Sequence, residues 1–281
     1  MPEFITQKQA MADFPKRPRD SHKGMFGTVA IIGGATGMVG AALLAGRAAL
    51  KLGTGCVHVG LLAENAPVVD PLQPELMLRP AADTLHLPGI QVLVVGCGLG
   101  CEPAPQKLLY DALRSDNALV LDADALNILA LRPDLCDDLR QRKAATVLTP
   151  HPAEAARLLD CTTAEVQADR VAATRQLAQR FAATVVLKGA DSLCATHDGR
   201  LFVNHTGNPG MSAPGMGDVL AGMVAAFIAQ GMGADAALLL AVHLHGAAGD
   251  ALAEQKASIG MTATELTEWA RWLLNQWQPH R

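Results

Sequence analysis

Aromatic residues are scarce. They make up 4% of the 281-residue chain, with one tyrosine, three tryptophans and six phenylalanines. The core must therefore be filled by Ala, Leu, Val and Met, which suits helices packed over a parallel sheet. Charge is low as well, at 18% of residues with a net value of −4. The one basic run, Lys16-Arg17-Pro18-Arg19, reads as a solvated approach to the first strand, so nucleic acid is excluded as the main partner. No CxxC pair and no zinc-ligand spacing occur among the cysteines at 56, 97, 101, 136, 161 and 194. They read as small buried hydrophobes in a reducing compartment. The first 20 residues hold no apolar h-region, which excludes a secretory signal. The longest apolar stretch, residues 234–244, is interrupted by Asp235 and His243 and reads as too short to cross a bilayer. These absences predict a cytoplasmic protein without a membrane partner.

What is present is apolar. Half of the residues are hydrophobic, enough for a well-buried core. Short β-branched runs at 28–32, 56–62, 92–95, 118–121, 145–148 and 184–187 alternate with helical patterns at 41–52, 105–114, 153–159, 163–182, 218–229, 235–255 and 262–277. Most of the strand runs are apolar throughout, as expected when helices cover both faces. Capping-box spacing occurs at Thr162/Glu165 and Thr262/Glu265. The pattern predicts a three-layer α/β/α sandwich around a mostly parallel sheet. Residues 1–20 read as an N-terminal extension and 21–281 as a single domain. The stretch 63–89, rich in proline, reads as irregular.

Five loops follow the predicted strands. Gly33-Gly-Ala-Thr-Gly-Met-Val-Gly40 opens a helix, where free amides suit an anion. Its spacing is GxxGxxG and departs from the dinucleotide-binding fingerprint; a dehydrogenase reading would pair it with Glu64. Gly96-Cys-Gly-Leu-Gly100 lets a ligand approach the backbone closely. Asp122-Ala-Asp-Ala-Leu-Asn127 offers carboxylates for a hydroxylated ligand or hydrated Mg²⁺, or else Asp124 caps a helix. In Thr149-Pro-His-Pro-Ala-Glu154 the prolines fix His151 near a strand's C-terminal end, while Glu154 also suits a helix first turn. Lys188-Gly-Ala-Asp-Ser192 suits a nucleotide's phosphates or ribose, or forms a plain turn.

The sharpest signal is Gly207-Asn-Pro-Gly-Met-Ser-Ala-Pro-Gly-Met-Gly-Asp218 ahead of an apolar helix. The amides of Gly215, Met216 and Gly217 can converge into an anion hole helped by the helix dipole. Asp218 then lies in the first turn, placed to accept a proton from an attacking hydroxyl.

GxGD at a helix start resembles the anion-hole motif of ribokinase-like kinases. The fuller set of SHKGMFG, GGATGMVGAA, DADALN, TPHPAE, KGADS and GNPGM…GMGDVLAG, in that order from about Ser21 to Trp269, resembles the ADP/ATP-dependent NAD(P)H-hydrate dehydratases. The resemblance implies a ribokinase-like fold and a cofactor-repair reaction. In it ADP or ATP, with Mg²⁺, phosphorylates the ring hydroxyl of the S epimer of hydrated NADH or NADPH, and phosphate is then eliminated. By position it implies Asp218 as the base on that hydroxyl and Gly217 at the nucleotide phosphates. Lys188, Gly189, Ala190, Asp191 and Ser192 are implied at the adenine nucleotide. Ala41, Gly98, Gly100 and His151 are implied at the hydrated cofactor, and Glu154 as an indirect Mg²⁺-orienting acid. It further implies a homotetramer, which the apolar helices also suggest. Cys97 stands where proline is usual and Met216 where a small residue is common; neither removes a catalytic group, since the hole uses backbone amides. Many members carry an N-terminal epimerase domain, and with only about 20 residues ahead of the match none is expected here. The alternative is a kinase of the same superfamily acting on a vitamin precursor or sugar.

Overall fold

The computed structural model describes residues 1–278; the last three residues of the expected 21–281 domain lie outside them. Its strands are β1 (Glu3–Phe4), β2 (Thr28–Gly33), β3 (Cys56–Leu61), β4 (Met77–Pro80) and β5 (Val92–Val95), then β6 (Ala118–Leu121), β7 (Thr146–Leu148), β8 (Thr184–Leu187), β9 (Ser192–Ala195) and β10 (Leu201–Asn204). They form one sheet in the order β1-β10-β9-β8-β7-β6-β5-β2-β3-β4. From β4 to β8 every pairing is parallel, whereas β9 runs antiparallel to both β8 and β10.

Alternate residues of the central strands enter two separate cores. Val29, Ile31, Val92, Val94 and Val120 join one, while Ala30, Ile32, Leu93, Val95, Leu119 and Leu121 join the other. Every one of these side chains is buried. That is why the strands read as continuous apolar runs and do not alternate. The first core is roofed by the helices Val39–Lys51, Met216–Ala229, Ala234–Gln255 and Ala263–Trp277. The second is roofed by Pro103–Leu113, Asp124–Leu131, Pro152–Leu159 and Arg170–Phe181. The three-layer sandwich is thus present.

Several details differ from the sequence reading. The stretch 63–89 contains β4, an edge strand with Pro80 at its end. An edge strand has one partner and an exposed side, so no apolar run marks it. The helix expected over 163–182 breaks at Asp169, whose side chain accepts from the Ala172 amide and caps a new helix. Residues 1–20 are partly built in. β1 pairs with β10, Ile5 and Ala10 are buried, and Arg17 donates to the Gly53 carbonyl at 2.5 Å and to Gln230 Oε1 at 2.6 Å. The apolar stretch 234–244 continues into one helix of 22 residues, long and apolar enough to cross a membrane by length and composition. In its 18-residue apolar window 67% is buried inside the fold, so its apolarity serves the chain's own core.

Strand order reverses between β5 and β2, since β3 and β4 extend one way and β6 to β8 the other. The C-terminal ends of strands at such a reversal leave a crevice between their outgoing loops. The GGATG loop leaves β2 there and the GCGLG loop leaves β5.

Candidate active site

The two loops are zipped together. The amide of Gly34 donates to the Cys97 carbonyl at 3.0 Å, and that of Ala35 to the Gly98 carbonyl at 2.7 Å. Gly98 has a φ of +60°, and a Cβ there would stand 2.7 Å from Met38 Cβ and 3.2 Å from Ala41 Cβ. Only glycine permits this approach. Gly100 donates its amide to Asp124 Oδ2 at 2.8 Å.

The Asp218 helix, Met216–Ala229, faces the same edge. Gly215 caps it with φ +87°, in space already filled by Leu44 and Ala263. Farther along, a Cβ on Gly222 would strike the Ala45 carbonyl, so this helix lies tightly against the helix that follows the first glycine loop. The amides of Met216, Gly217 and Asp218 lack acceptors within the helix, as first-turn amides do, and form the positive end of its dipole.

Asp218 therefore sits beside two groups, Asp122 and Cys97. One oxygen each from Asp122 and Asp218, together with Cys97 Sγ, lie within 4.8 Å of one another. Burial raises the Asp218 carboxyl above the ordinary carboxylate value, and repulsion from Asp122 adds to it. Asp122 is itself buried, at 2% exposure, and accepts from Lys188 Nζ at 2.7 Å and Thr149 Oγ1 at 2.7 Å. Lys188 Nζ is also 3.9 Å from Glu154 Oε2. Burial opposes the Lys188 charge, but Asp122 and Glu154 outweigh it and hold the ammonium above its usual value. The Cys97 thiol is pushed well up by burial and by the two aspartates, so it stays protonated. A protonated thiol is neither a nucleophile nor a metal ligand.

Lys188 closes one wall of a cavity of about 520 Å³. Gly189, Ala190, Asp191 and Ser192 continue that wall, and Met216 and Gly217 bring the helix start to it. The KGADS residues and Gly217 thus line one cavity. A Cβ on Gly217 would be 3.2 Å from Lys188 Nζ and 3.4 Å from Asp122 Oδ2, so cation, carboxylate and amide meet at one point. Ala41, Gly98, Gly100 and His151 lie outside this cavity. The first three belong to the crevice reached from Asp218 through Cys97.

His151 and Glu154 form a reciprocal capping box. His151 Nδ1 accepts from the Ala153 and Glu154 amides at 3.1 and 3.4 Å, and Glu154 Oε2 accepts from the His151 amide at 2.7 Å. Burial and the nearby Lys188 lower the His151 pKa and keep its ring neutral. Burial raises that of Glu154. The carboxylates of DADALN part company: Asp122 turns into the site, while Asp124 holds the Gly100 loop and accepts from Asn127 Nδ2 at 3.3 Å. Between them Ala123 takes φ +47°, a strained conformation for alanine, and it is Ala123 that occupies the cap position of the next helix. The SHKGMFG motif lies at the opposite edge of the sheet. Gly27 precedes β2 with φ +73°, and a Cβ there would strike the Ala229 carbonyl, so its service is architectural.

Asp122 and Asp218 present hard oxygen donors, the kind Mg²⁺ selects while keeping several waters. Their proximity fits that ion. Sequence reasoning missed Thr149, which orients Asp122, and His245, which lines the cavity and bonds the Met216 carbonyl. His245 sits among apolar neighbours in a core helix, where a histidine carries no local signal.

The family model described as NAD(P)H-hydrate dehydratase matches residues 29–271. The chain belongs to the NAD(P)H-hydrate dehydratase family. Within it, the chain is 45% identical over 267 residues to the ADP-dependent (S)-NAD(P)H-hydrate dehydratase of Neisseria meningitidis serogroup B, covering 94% of this chain and 90% of that one. It is 39% identical to the bifunctional NAD(P)H-hydrate repair enzyme Nnr of Escherichia coli, over 93% of this chain but 50% of the relative. Among solved structures, the Bacillus subtilis ADP/ATP-dependent NAD(P)H-hydrate dehydratase co-crystallised with ATP/Mg²⁺ superposes with a TM-score of 0.88 at 29% identity, covering 98% of this chain and 99% of that one. A ribokinase-like superfamily protein of Enterococcus faecalis superposes at 0.86 with 25% identity, over 98% of this chain and 96% of that one. The fold of this family member is ribokinase-like.

Proposed function

We propose that this chain uses ADP or ATP to dehydrate the S epimer of hydrated NADH or NADPH, restoring the reduced cofactor. The observation that carries the reading is the position of Asp218. It is a carboxylate of raised pKa on the first turn of a helix, between a cavity walled by the KGADS loop and the crevice of the two glycine loops.

The chemistry needs each part. Hydroxide is a poor leaving group, so the hydroxyl must first be converted. Asp218 takes the hydroxyl proton as the oxygen attacks the terminal phosphoryl group of the nucleotide. The bond from that phosphorus to the leaving nucleotide oxygen breaks, and the nucleotide departs one phosphate shorter. The amides of Gly215, Met216 and Gly217 and the Lys188 ammonium face the charge that spreads over the phosphoryl oxygens. Phosphate then leaves with its C–O bond, and loss of a proton from the neighbouring carbon completes the double bond. Gly189, Ala190, Asp191 and Ser192 hold the nucleotide. Ala41, Gly98, Gly100 and His151 border the hydrated ring, and Glu154 supports His151 and Lys188. Asp122 is the residue that would hold Mg²⁺ through the ion's waters, which leaves Asp218 free as the base; the ion would supply neutralisation of phosphate charge. Six free cysteines support a cytoplasmic setting.

The test is the absorbance of the dihydronicotinamide chromophore when purified protein meets hydrated NADH, Mg²⁺ and nucleotide. A rise that requires nucleotide is expected. Consumption of nucleotide with accumulation of a stable phosphorylated product would instead support the small-molecule kinase.

A further inference from the structure

One polar group in the wall of the nucleotide cavity has no part in the reaction as written. His245 lies on the helix Ala234–Gln255, and its Nε2 is 3.0 Å from the Met216 carbonyl oxygen. A carbonyl only accepts, so Nε2 carries the hydrogen and Nδ1 is left with its lone pair. Burial holds the ring neutral, with its pKa pushed down to about 4. The neighbouring His243 differs: it is buried, its Nδ1 is paired with Asn204 Oδ1 at 3.1 Å, and it lies against Trp277. It is accounted for by packing alone. The helix packs closely on Thr206, which a Cβ at Gly246 would strike.

The carbonyl that His245 binds belongs to a particular peptide. Met216 opens the Asp218 helix, and the Met216–Gly217 peptide carries at its other end the Gly217 amide. In a trans peptide C=O and N–H point opposite ways. A donor that fixes the carbonyl therefore fixes the direction of the amide, and a bonded carbonyl also polarises its own N–H. We propose that His245 is a positioning residue for the anion hole, holding the Met216–Gly217 peptide so that the Gly217 amide faces the transferred phosphoryl group. This rests on the phosphoryl-transfer reading of the site.

The test compares His245→Ala with His245→Gln, whose amide nitrogen places a donor near the Nε2 position; His245→Leu replaces the alanine variant if that one is insoluble. Removing a direct donor of this kind costs about 10²–10³ in kcat, so a donor acting one peptide away is expected to cost about 10–50-fold. The nucleotide KM should stay within about threefold, because the loss falls on the transition state. His245→Gln should recover most of kcat. An unchanged kcat in His245→Ala, an equal loss in both variants, or a loss wholly in KM overturns the proposal. Wild-type protein is assayed in parallel with hydrated NADH, and its failure there would sink the dehydratase reading alone. The same variant comparison is then made on phosphate release from ATP without hydrate, where the same ordering supports the role of His245 and indifference refutes it.

Discussion

Replacing Asp218 by Asn separates chemistry from folding. Asn keeps the volume at the third position of the Asp218 helix and keeps the neighbouring amides, but it cannot accept the hydroxyl proton. A positioned general base contributes about 10²–10⁴-fold, which is about 3–5 kcal/mol of barrier. The dehydration rate, read as nucleotide-dependent growth of dihydronicotinamide absorbance, should fall by that factor. Stability should move the other way or stay put. Burial and Asp122 raise the Asp218 pKa in the fold, so this group stabilises the protein below the ordinary carboxylate pKa. That contribution is lost as pH rises through the raised value. Above that value the ionised group opposes folding, and Asn relieves it, offset by the loss of an anion near the helix N-terminus worth about 0.3–1 kcal/mol. The variant should therefore melt no lower than wild type by more than a few degrees. In wild type, kcat/KM should decline toward acid through a limb above the usual carboxylate range, and the residual rate of the variant should lack that limb. A variant that keeps more than a tenth of the rate while fully folded refutes Asp218 as the base.

Three further outcomes follow from the same geometry. Lys188→Met leaves buried Asp122 without its cation, so melting should fall by the equivalent of about 3–5 kcal/mol and nucleotide affinity should drop with it; calorimetry of both checks this. Gly217→Ala and Gly27→Ala should split: the first is tolerated by the helix but crowds Lys188 Nζ at 3.2 Å and loses turnover, whereas the second, at φ +73°, costs about 1–3 kcal/mol or more in denaturant melts and spares kcat of the folded fraction. His151→Ala removes a helix cap and should cost about 1 kcal/mol, with Ser in its place restoring most of it. Because the His151 pKa is lowered in the fold, its contribution is present above the ordinary histidine value and is lost as pH falls through the lowered one, so wild type and His151→Ala should converge in stability on acidification.

How much of this was legible in the residues depended on where the information lay. Loops that leave parallel strands carry their chemistry in contiguous motifs, so GMGD and KGADS stand out in the sequence alone. The strands of the central sheet were legible because burial on both faces demands unbroken apolar runs. β4 was not, since an edge position places no such demand on its residues. The partners within the site were legible only in part. Asp122 and Asp124 are equivalent in sequence, and nothing in DADALN says that a strained Ala123 turns one toward Lys188 and the other toward Gly100.

The hardest residues to foresee are those that act through another element. His151 and Glu154 look like a ligand and a metal acid in TPHPAE, yet each spends hydrogen bonds capping a helix. Any role at the hydrated ring must be carried by what remains, the half-exposed edge of a neutral imidazole. His245 is the converse case, a histidine inside an apolar helix whose ring bonds the helix that bears Asp218. A residue type signals function in sequence when its neighbours are loop residues that leave it nothing structural to do. When tertiary contact supplies the partner, the signal resides in the pairing, and only the fold brings the pair together.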